Sequence, residues 1–219
     1  DVLEALGIPI DHGPEQAARA LQADGFAFLF APGYHPAMRH AGPVRRELGV
    51  PTCFNLLGPL TNPAGVRRQV MGVADPRAAK RVAQVLYALG VERALVVHGD
   101  GVDELPLDDS GVAYDVSAAG VRRRRVSAER LGLRRASRDE LRGGSAADNA
   151  ALIEGVLRGT DRGPRRDVVL LNAGAALLVA GRARTLSNGV ALAGRALDSG
   201  QAAGLLDRLR SSAAQRSVA

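Results

Sequence analysis

Short apolar runs alternate along the chain with stretches whose apolar residues recur at helical spacing, which is the pattern of an α/β fold. Buried strands are predicted for the runs FAFLF at 26–30, QVMGV at 69–73 and ALVVHG at 94–99. Amphipathic or buried helices are predicted at 14–24, about 35–48, 75–90, 145–158, 167–181, 185–198 and 200–213. The order of these elements predicts a largely parallel central sheet flanked by helices.

Two segments depart from this simple alternation. The stretch 111–126, with GVAYDV followed by GVRRRRV, indicates a peripheral two-stranded extension that is polar on one side. The stretch 167–181 (DVVLLNAGAALLVAG) is rich in Val and Leu, but its length and alanine content favour a buried helix over a strand.

Composition is consistent with one soluble α/β domain. The 219 residues are 46% hydrophobic, which is ample for a core. We expect a cytoplasmic protein, because no apolar run approaches the roughly 18 residues that span a bilayer and DVLEALGIPID at the start has no signal-peptide pattern. The single cysteine, Cys53, excludes a disulfide framework and has the apolar surroundings of a buried structural thiol.

The net charge is +6, and nearly all of the positive charge comes from arginine, since Lys80 is the single lysine in the sequence. Nine arginines crowd into residues 122–142, and they are Arg122, Arg123, Arg124, Arg125, Arg130, Arg134, Arg135, Arg138 and Arg142. Such a stretch fits either a solvated face or a nucleic-acid patch. The solvated face is favoured, because no aromatic side chain interleaves with the arginines to stack on bases.

The segment from His35 to Gly65, HPAMRHAGPVRRELGVPTCFNLLGPLTNPAG, is one candidate site. Arg45 and its neighbour Arg46 carry guanidinium groups that suit bidentate binding of a carboxylate. The turn-rich GPLTNP run predicts a rigid loop lining a pocket. From composition alone, surface ion pairs and a structural turn are the favoured interpretation, because most such arginines are solvated.

The second candidate segment is VVHGDGVDELPLDD at 96–109. Asp100, Asp103 and Glu104 follow a predicted strand, and ligands of open α/β sheets bind beyond the carboxyl ends of strands. Carboxylates without a Cys or His cluster suit a hard cation such as Mg²⁺, although a solvated acidic turn fits the same residues. His98 is interpreted as a structural histidine at the strand end.

Several motifs are absent from the sequence. It has no G-x-x-x-x-G-K-[ST], no G-x-G-x-x-G after a strand, no H-E-x-x-H and no G-x-S-x-G. Nucleotide hydrolysis, dinucleotide redox chemistry and triad hydrolysis therefore have no support.

The two candidate segments resemble the anthranilate phosphoribosyltransferases. FLFAPGYHPAMRHAGPVRRELGVPTCFNLLGPLTNPAG is similar to that family's most characteristic stretch, and VVHGDGVDEL resembles its acidic metal loop. SAADNAALIEGVLRG and RRDVVLLNAGAALLVAGRARTLSNGVALAGRALDSGQA resemble its C-terminal helices. The likeness covers nearly the whole chain and is weak only at 108–142.

The resemblance implies a nucleoside phosphorylase/phosphoribosyltransferase-type catalytic domain with a remnant of a small helical domain. It implies transfer of 5-phosphoribose from phosphoribosyl pyrophosphate to anthranilate in tryptophan biosynthesis, by a homodimer. We expect no membrane partner, and a nucleic-acid partner is disfavoured. By position, Arg45 would bind the anthranilate carboxylate, with His35 and Pro59 lining the same pocket. Asp103 and Glu104 would bind Mg²⁺.

The chain departs from the family pattern, and these departures determine which part of the family's domains we expect it to contain. The family's glycine-rich phosphate loop and most of its helical domain have no counterpart in the 219 residues. We therefore expect residues 1–219 to be the α/β catalytic domain truncated at its start, with 35–49 packing against the missing helical domain. Without the backbone amides that cradle phosphates, little or no activity is expected of this chain alone. Leu105-Pro106, directly after the acidic pair, also departs from the family's small hydroxylated residues.

Two other functions remain open at this point. A non-catalytic relative that binds nucleic acid would use the arginine-rich stretch, although Arg45, Asp103 and Glu104 argue against it. A pyrimidine-nucleoside phosphorylase shares the fold class and a GPLTNP-like segment, but the HPAMRHAGPVRRELG stretch fits anthranilate transfer better.

Overall fold

The computed structural model describes residues 1–36, 47, 49 and 60–216. The helices in these ranges are α1 (Val2–Ala5), α2 (Pro14–Asp24), α3 (Ala31–Tyr34), α4 (Pro76–Ala88), α5 (Ala146–Leu157), α6 (Pro164–Val179), α7 (Leu186–Asp198) and α8 (Gln201–Arg216). The strands are β1 (Arg68–Gly72), β2 (Arg93–His98), β3 (Val112–Ser117) and β4 (Gly120–Arg125), and the short 3₁₀ helices are Glu129–Leu131 and Asp139–Leu141.

The α/β class is confirmed, but the sheet is mixed. The four described strands are ordered β1-β2-β3-β4. Only β1 and β2 run parallel, while β2 with β3 and β3 with β4 are antiparallel. The expectation of a largely parallel sheet is corrected for these strands, because the two-residue turn between Ser117 and Gly120 forces β4 to reverse. The chain between β2 and β3 also lacks the crossover helix that a parallel connection needs.

Helices cover the sheet through apolar stripes. In α4, Ala79, Val82, Ala83 and Leu86 are buried at helical spacing, and the helix packs on β2 and β3. Helix α6 packs on β1 and β2. Strand β2 is consequently buried from residue 94 to 98. None of the helices in the described residues combines the length and the apolar character that a bilayer crossing requires.

The chain divides into two compact units. The first consists of Asp1–Gly65, Gly144–Glu154 and Ala202–Ala219, and the second of Val66–Gly143 and Gly155–Gln201. The sheet and helices α4, α6 and α7 belong to the second unit. In the described part of the first unit the regular elements are helical.

The predicted strand at 26–30 is not found. These residues form no ladder with another described strand, although the backbone of Phe30 is extended. A strand needs a partner for its backbone groups, and an apolar run alone does not provide one. The rings of Phe28 and Phe30 instead stack with their centroids 6.3 Å apart. The helix predicted at 35–48 lies largely outside the described residues.

Candidate functional site

The acidic loop lies at the carboxyl edge of the parallel strand pair. Strands β1 and β2 run in register, so Gly72 and His98 end them at the same edge of the sheet. A methyl group at Gly72 would overlap the backbone carbonyl of Asp103. The loop backbone is therefore laid directly across the end of β1, in the place where ligands bind in open α/β sheets.

Apolar residues after the acidic pair anchor this loop. Leu105 and Leu107 are fully buried, with 0% exposure. A methyl group at Gly99 would lie 2.8 Å from the Cγ atom of Pro106, so the backbone just after β2 packs closely against the Pro106 ring. The Leu105-Pro106 pair that departs from the family pattern thus fixes the loop into the core while Asp103 and Glu104 remain exposed.

Asn172 of α6 holds the same loop, and its role was missed from the sequence. The Leu105 amide donates to Oδ1 of Asn172 at 2.9 Å, and Nδ2 of Asn172 donates to the Leu105 carbonyl at 2.9 Å. The side-chain amide pairs with the backbone as a neighbouring strand would. The available signal was an asparagine inside the apolar LLNAGAALL run, since buried polar side chains need partners.

The far side of the loop is closed by Arg138. Its guanidinium donates to the Asp100 carbonyl and lies 3.8 Å from the Asp108 carboxylate. Burial acts to raise the pKa of Asp108, but hydrogen bonds from the Ser110 amide and hydroxyl, with the Arg138 charge, outweigh it and lower the pKa. Asp108 is therefore an internal anchor of the loop, whereas Asp100, Asp103 and Glu104 are exposed.

Among the described residues, neither Asp103 nor Glu104 forms an ion pair. Burial raises the pKa of Glu104, and the neighbouring charge of Asp103 raises it further. The described residues contain no group of three or more Asp, Glu, His or Cys side chains placed to share a metal ion. Two oxygen donors fit Mg²⁺, which keeps several waters and is commonly shared between one or two carboxylates and substrate phosphates.

The other predicted site residues are only partly described. His35 caps the C-terminal end of α3, where its amide donates to the Ala31 carbonyl at 3.0 Å. Arg45, Pro59 and Cys53 lie outside the described residues. His98 ends β2 as predicted, is buried, and its ring stacks on Tyr114 with centroids 6.3 Å apart.

Several arginines of the 122–142 stretch form ion pairs within the second unit. The pairs are Arg124 with Asp115 at 3.7 Å, Arg134 with Asp167 at 3.7 Å, Arg138 with Asp108 at 3.8 Å and Arg142 with Asp139 at 2.8 Å. The side chains of Arg122 to Arg125 are exposed. This arrangement agrees with the predicted solvated face, in which several of the arginines form ion pairs.

The second unit is an α/β unit with an acidic loop across the carboxyl edge of its parallel strands, and the comparison with protein families gives the class of protein. The chain belongs to the glycosyl transferase family: the model described as "Glycosyl transferase family, a/b domain" matches residues 1–203.

Within that family the chain is similar to anthranilate phosphoribosyltransferases. The enzyme of Thermomicrobium roseum is 53% identical over 214 residues, which are 96% of this chain and 61% of that protein. The enzyme of Symbiobacterium thermophilum is 52% identical over 211 residues, covering 96% of this chain and 62% of that protein. The chain thus spans about three fifths of these relatives' length.

Solved structures give the same relationship. The crystal structure of anthranilate phosphoribosyltransferase from Thermus thermophilus superposes with a TM-score of 0.89 at 46% identity, covering 97% of this chain and 63% of that one. The enzyme of Saccharomyces cerevisiae in complex with PRPP and Mg has a TM-score of 0.84 at 24% identity, covering 98% of this chain and 62% of that one, which shows the shared fold. The resemblance predicted from the sequence is confirmed.

Proposed function

We propose that this chain is the α/β catalytic portion of an anthranilate phosphoribosyltransferase. The enzyme would transfer 5-phosphoribose from phosphoribosyl pyrophosphate to anthranilate, giving N-(5-phosphoribosyl)anthranilate and pyrophosphate. The observation that carries the proposal is an identity of 52% and 53% with two enzymes of that name along 96% of the chain. Neither a nucleoside phosphorylase nor a nucleic-acid-binding relative has comparable support.

The acidic pair has the chemistry that this reaction needs. Cleavage of the anomeric bond leaves pyrophosphate, whose negative charge must be neutralised, and Mg²⁺ bound to Asp103 and Glu104 would supply that charge. The raised pKa of Glu104 agrees with a carboxylate that gains from a cation. The yeast enzyme of the same fold has been solved with PRPP and Mg, which supports the choice of this metal.

The remaining residues would bind and orient the acceptor. Arg45 would bind the anthranilate carboxylate through its guanidinium fork, with His35 and Pro59 lining the pocket. The aromatic amine attacks with its own lone pair, so orientation rather than a strong general base is the main requirement. The segment 35–49 would pack against a helical domain, and the full-length protein would be a cytoplasmic homodimer.

The test is a fluorescence assay of anthranilate consumption with phosphoribosyl pyrophosphate and Mg²⁺. It compares the 219-residue chain with a longer polypeptide carrying the coding sequence upstream of Asp1, if the genome supplies it. Turnover by the longer polypeptide is expected, with little or none by the short chain. In the active form, Asp103→Asn with Glu104→Gln should lower kcat/KM by at least about a hundredfold, because metal binding is lost.

Matched variants separate the proposed roles. Glu129→Gln removes an exposed carboxylate from a 3₁₀ helix and should leave turnover unchanged, whereas Arg45→Gln should raise mainly the KM for anthranilate. The proposal fails if the longer polypeptide consumes no anthranilate, or if it cleaves thymidine with phosphate instead.

A further inference from the structure

A concave region in the second unit is lined by residues of the sheet, α6 and α7. A cavity of about 400 Å³ opens beside the sheet and the start of α7. This volume falls in the range of about 300–1,000 Å³ that is typical of small-molecule sites. Neither Asp103 nor Glu104 lines the cavity, but Leu105, the next residue of the acidic loop, does. The cavity therefore adjoins the acidic loop without including its carboxylates.

The floor of the cavity is apolar. It is formed by one face of the sheet and by α6, through the buried side chains of Leu95, Ala113, Val126 and Leu178. Leu95 on β2 and Ala113 on β3 lie close together because the two strands are neighbours and both side chains are on the same face of the sheet. A ligand here would therefore place an apolar or planar body against aliphatic side chains.

The rim is strongly basic. Five arginines line the cavity, and they are Arg93, Arg124, Arg125, Arg130 and Arg184. Asp115 is the one acidic residue among the lining residues. Its carboxylate lies 3.7 Å from the Nε atom of Arg93 and 3.7 Å from that of Arg124, so a single negative charge is shared between two guanidinium groups.

The other three rim arginines lack a carboxylate partner. In the part of the chain that the structure describes, Arg125, Arg130 and Arg184 form no ion pair. Single exposed arginines are ordinarily satisfied by water. Here three converge on one apolar concavity, where low-dielectric walls strengthen the positive potential and attract anions.

We propose that this cavity binds a small organic anion. A carboxylate or phosphate group would lie between the rim arginines, whose planar forks match both groups in bidentate fashion. The body of the ligand would cover the leucine floor. Both parts are needed, since the rim alone favours any anion and the floor alone favours any apolar molecule.

The probe is phenyl phosphate, titrated into the 219-residue chain in the presence of EDTA and followed by NMR of methyl groups. Saturable shifts are expected for the methyl groups of Ala113, Leu131 and Leu186, which line the cavity. Inorganic phosphate and benzyl alcohol each carry one half of the ligand and should bind at least about tenfold more weakly. Benzoate, titrated in parallel, shows whether carboxylate or phosphate is preferred.

Charge-matched variants locate the binding. Arg130→Gln with Arg184→Gln should weaken phenyl phosphate by about tenfold or more, because two charge-assisted contacts are lost. The control, Arg123→Gln with Arg135→Gln, removes the same charge outside the cavity, since neither residue lines it. These substitutions are at exposed positions, and a thermal melt checks that both variants fold.

Three outcomes would overturn the proposal. One is equal weakening by both double variants, which would show a general charge effect. Another is binding of inorganic phosphate as tight as that of phenyl phosphate. The third is binding that requires Mg²⁺, which would assign the signal to Asp103 and Glu104 and leave the cavity empty.

Discussion

At the scale of single residues, Asn172 explains how the loop that carries the exposed Asp103 and Glu104 is fixed to α6. Its side chain satisfies both backbone groups of Leu105, a residue that is itself fully buried. A third hydrogen bond, from Nδ2 to the Val168 carbonyl at 3.0 Å, orients the amide along α6. The position of Asp103 and Glu104 is therefore controlled from a helix 67 residues further along the chain.

Replacing Asn172 with alanine should loosen the loop and lower stability. The Leu105 amide and carbonyl would lose their partner in a buried place, at a cost of about 1–3 kcal/mol, or roughly 2–10 °C in Tm for a chain of this size. Hydrogen exchange of the Leu105 amide should accelerate at least tenfold. Asn188→Ala, at an exposed position of α7, is the matched control. Unchanged exchange at Leu105 in the Asn172 variant would contradict this role.

Glu104 should reduce stability at neutral pH. Because its folded-state pKa is raised above the ordinary value, the native state binds the proton more tightly than the unfolded chain does. The protonated Glu104 side chain therefore contributes its full stabilisation below the ordinary glutamate pKa of about 4.3. This contribution to the free energy of unfolding is lost as the pH rises through the folded-state pKa.

Glu104→Gln should therefore raise Tm at pH 7 by about 1 °C, a small effect because exposed charges are screened by solvent. The gain should vanish near pH 4, where the wild-type side chain is protonated. Saturating Mg²⁺ should stabilise the wild-type chain and not the variant. Glu129→Gln serves as the exposed control. A loss of stability at pH 7 in the Glu104 variant would contradict the electrostatic argument.

At the scale of elements, local pattern predicted helices better than strand pairing. Helix α4 begins at Pro76 and is capped by Asp75, whose carboxylate accepts from the Arg77 amide at 2.8 Å. Such capping signals are local, so the sequence contains them. The pairing partner of a strand is not local, which is why 26–30 was predicted wrongly. For the same reason the two strands at 111–126 were predicted as a peripheral extension, whereas β3 pairs antiparallel with β2.

Helix α6 shows where the ambiguity in the sequence was resolved. Its Val and Leu residues suit a buried strand, its length and alanine content favour a buried helix, and the helix packs closely against α7. A methyl group at Gly174 would lie 2.7 Å from the Val190 nitrogen, and one at Gly189 would overlap the Gly174 carbonyl. The two glycines let the helix backbones touch, which a sequence read one segment at a time does not reveal.

The candidate site was predictable to a similar extent. Asp103 and Glu104 were predicted as site residues because they follow a buried strand, and ligands of open α/β sheets bind beyond the carboxyl ends of strands. The supports of the loop come from distant segments, with Asn172 on α6 and Arg138 beyond the hairpin. The organic-anion cavity likewise combines residues 93, 130 and 184, whose meeting depends on the sheet register and on helix packing.

At the scale of the whole molecule, the first unit is assembled from three stretches that are far apart in the chain. Arg210 on α8 joins all three. Its Nε donates to the Leu6 carbonyl at 2.7 Å, and its two terminal nitrogens reach the Glu154 carboxylate at 3.0 and 2.8 Å. This bidentate pair is partly buried, so it is stronger than a surface ion pair.

Arg210→Ala should therefore destabilise the first unit selectively. Losing the charged hydrogen bonds should cost about 1.5–3 kcal/mol, and hydrogen exchange followed by mass spectrometry should show faster exchange at residues 1–8 and 146–154. Strand β2, in the second unit, should keep its protection. Arg210→Lys keeps the charge but not the fork, so it should rescue only in part, whereas Arg208→Ala, at an exposed position of the same helix, should change nothing. Equal loss of protection in β2 would instead mean that the two units unfold as one cooperative body, in which case Arg210 stabilises the entire chain.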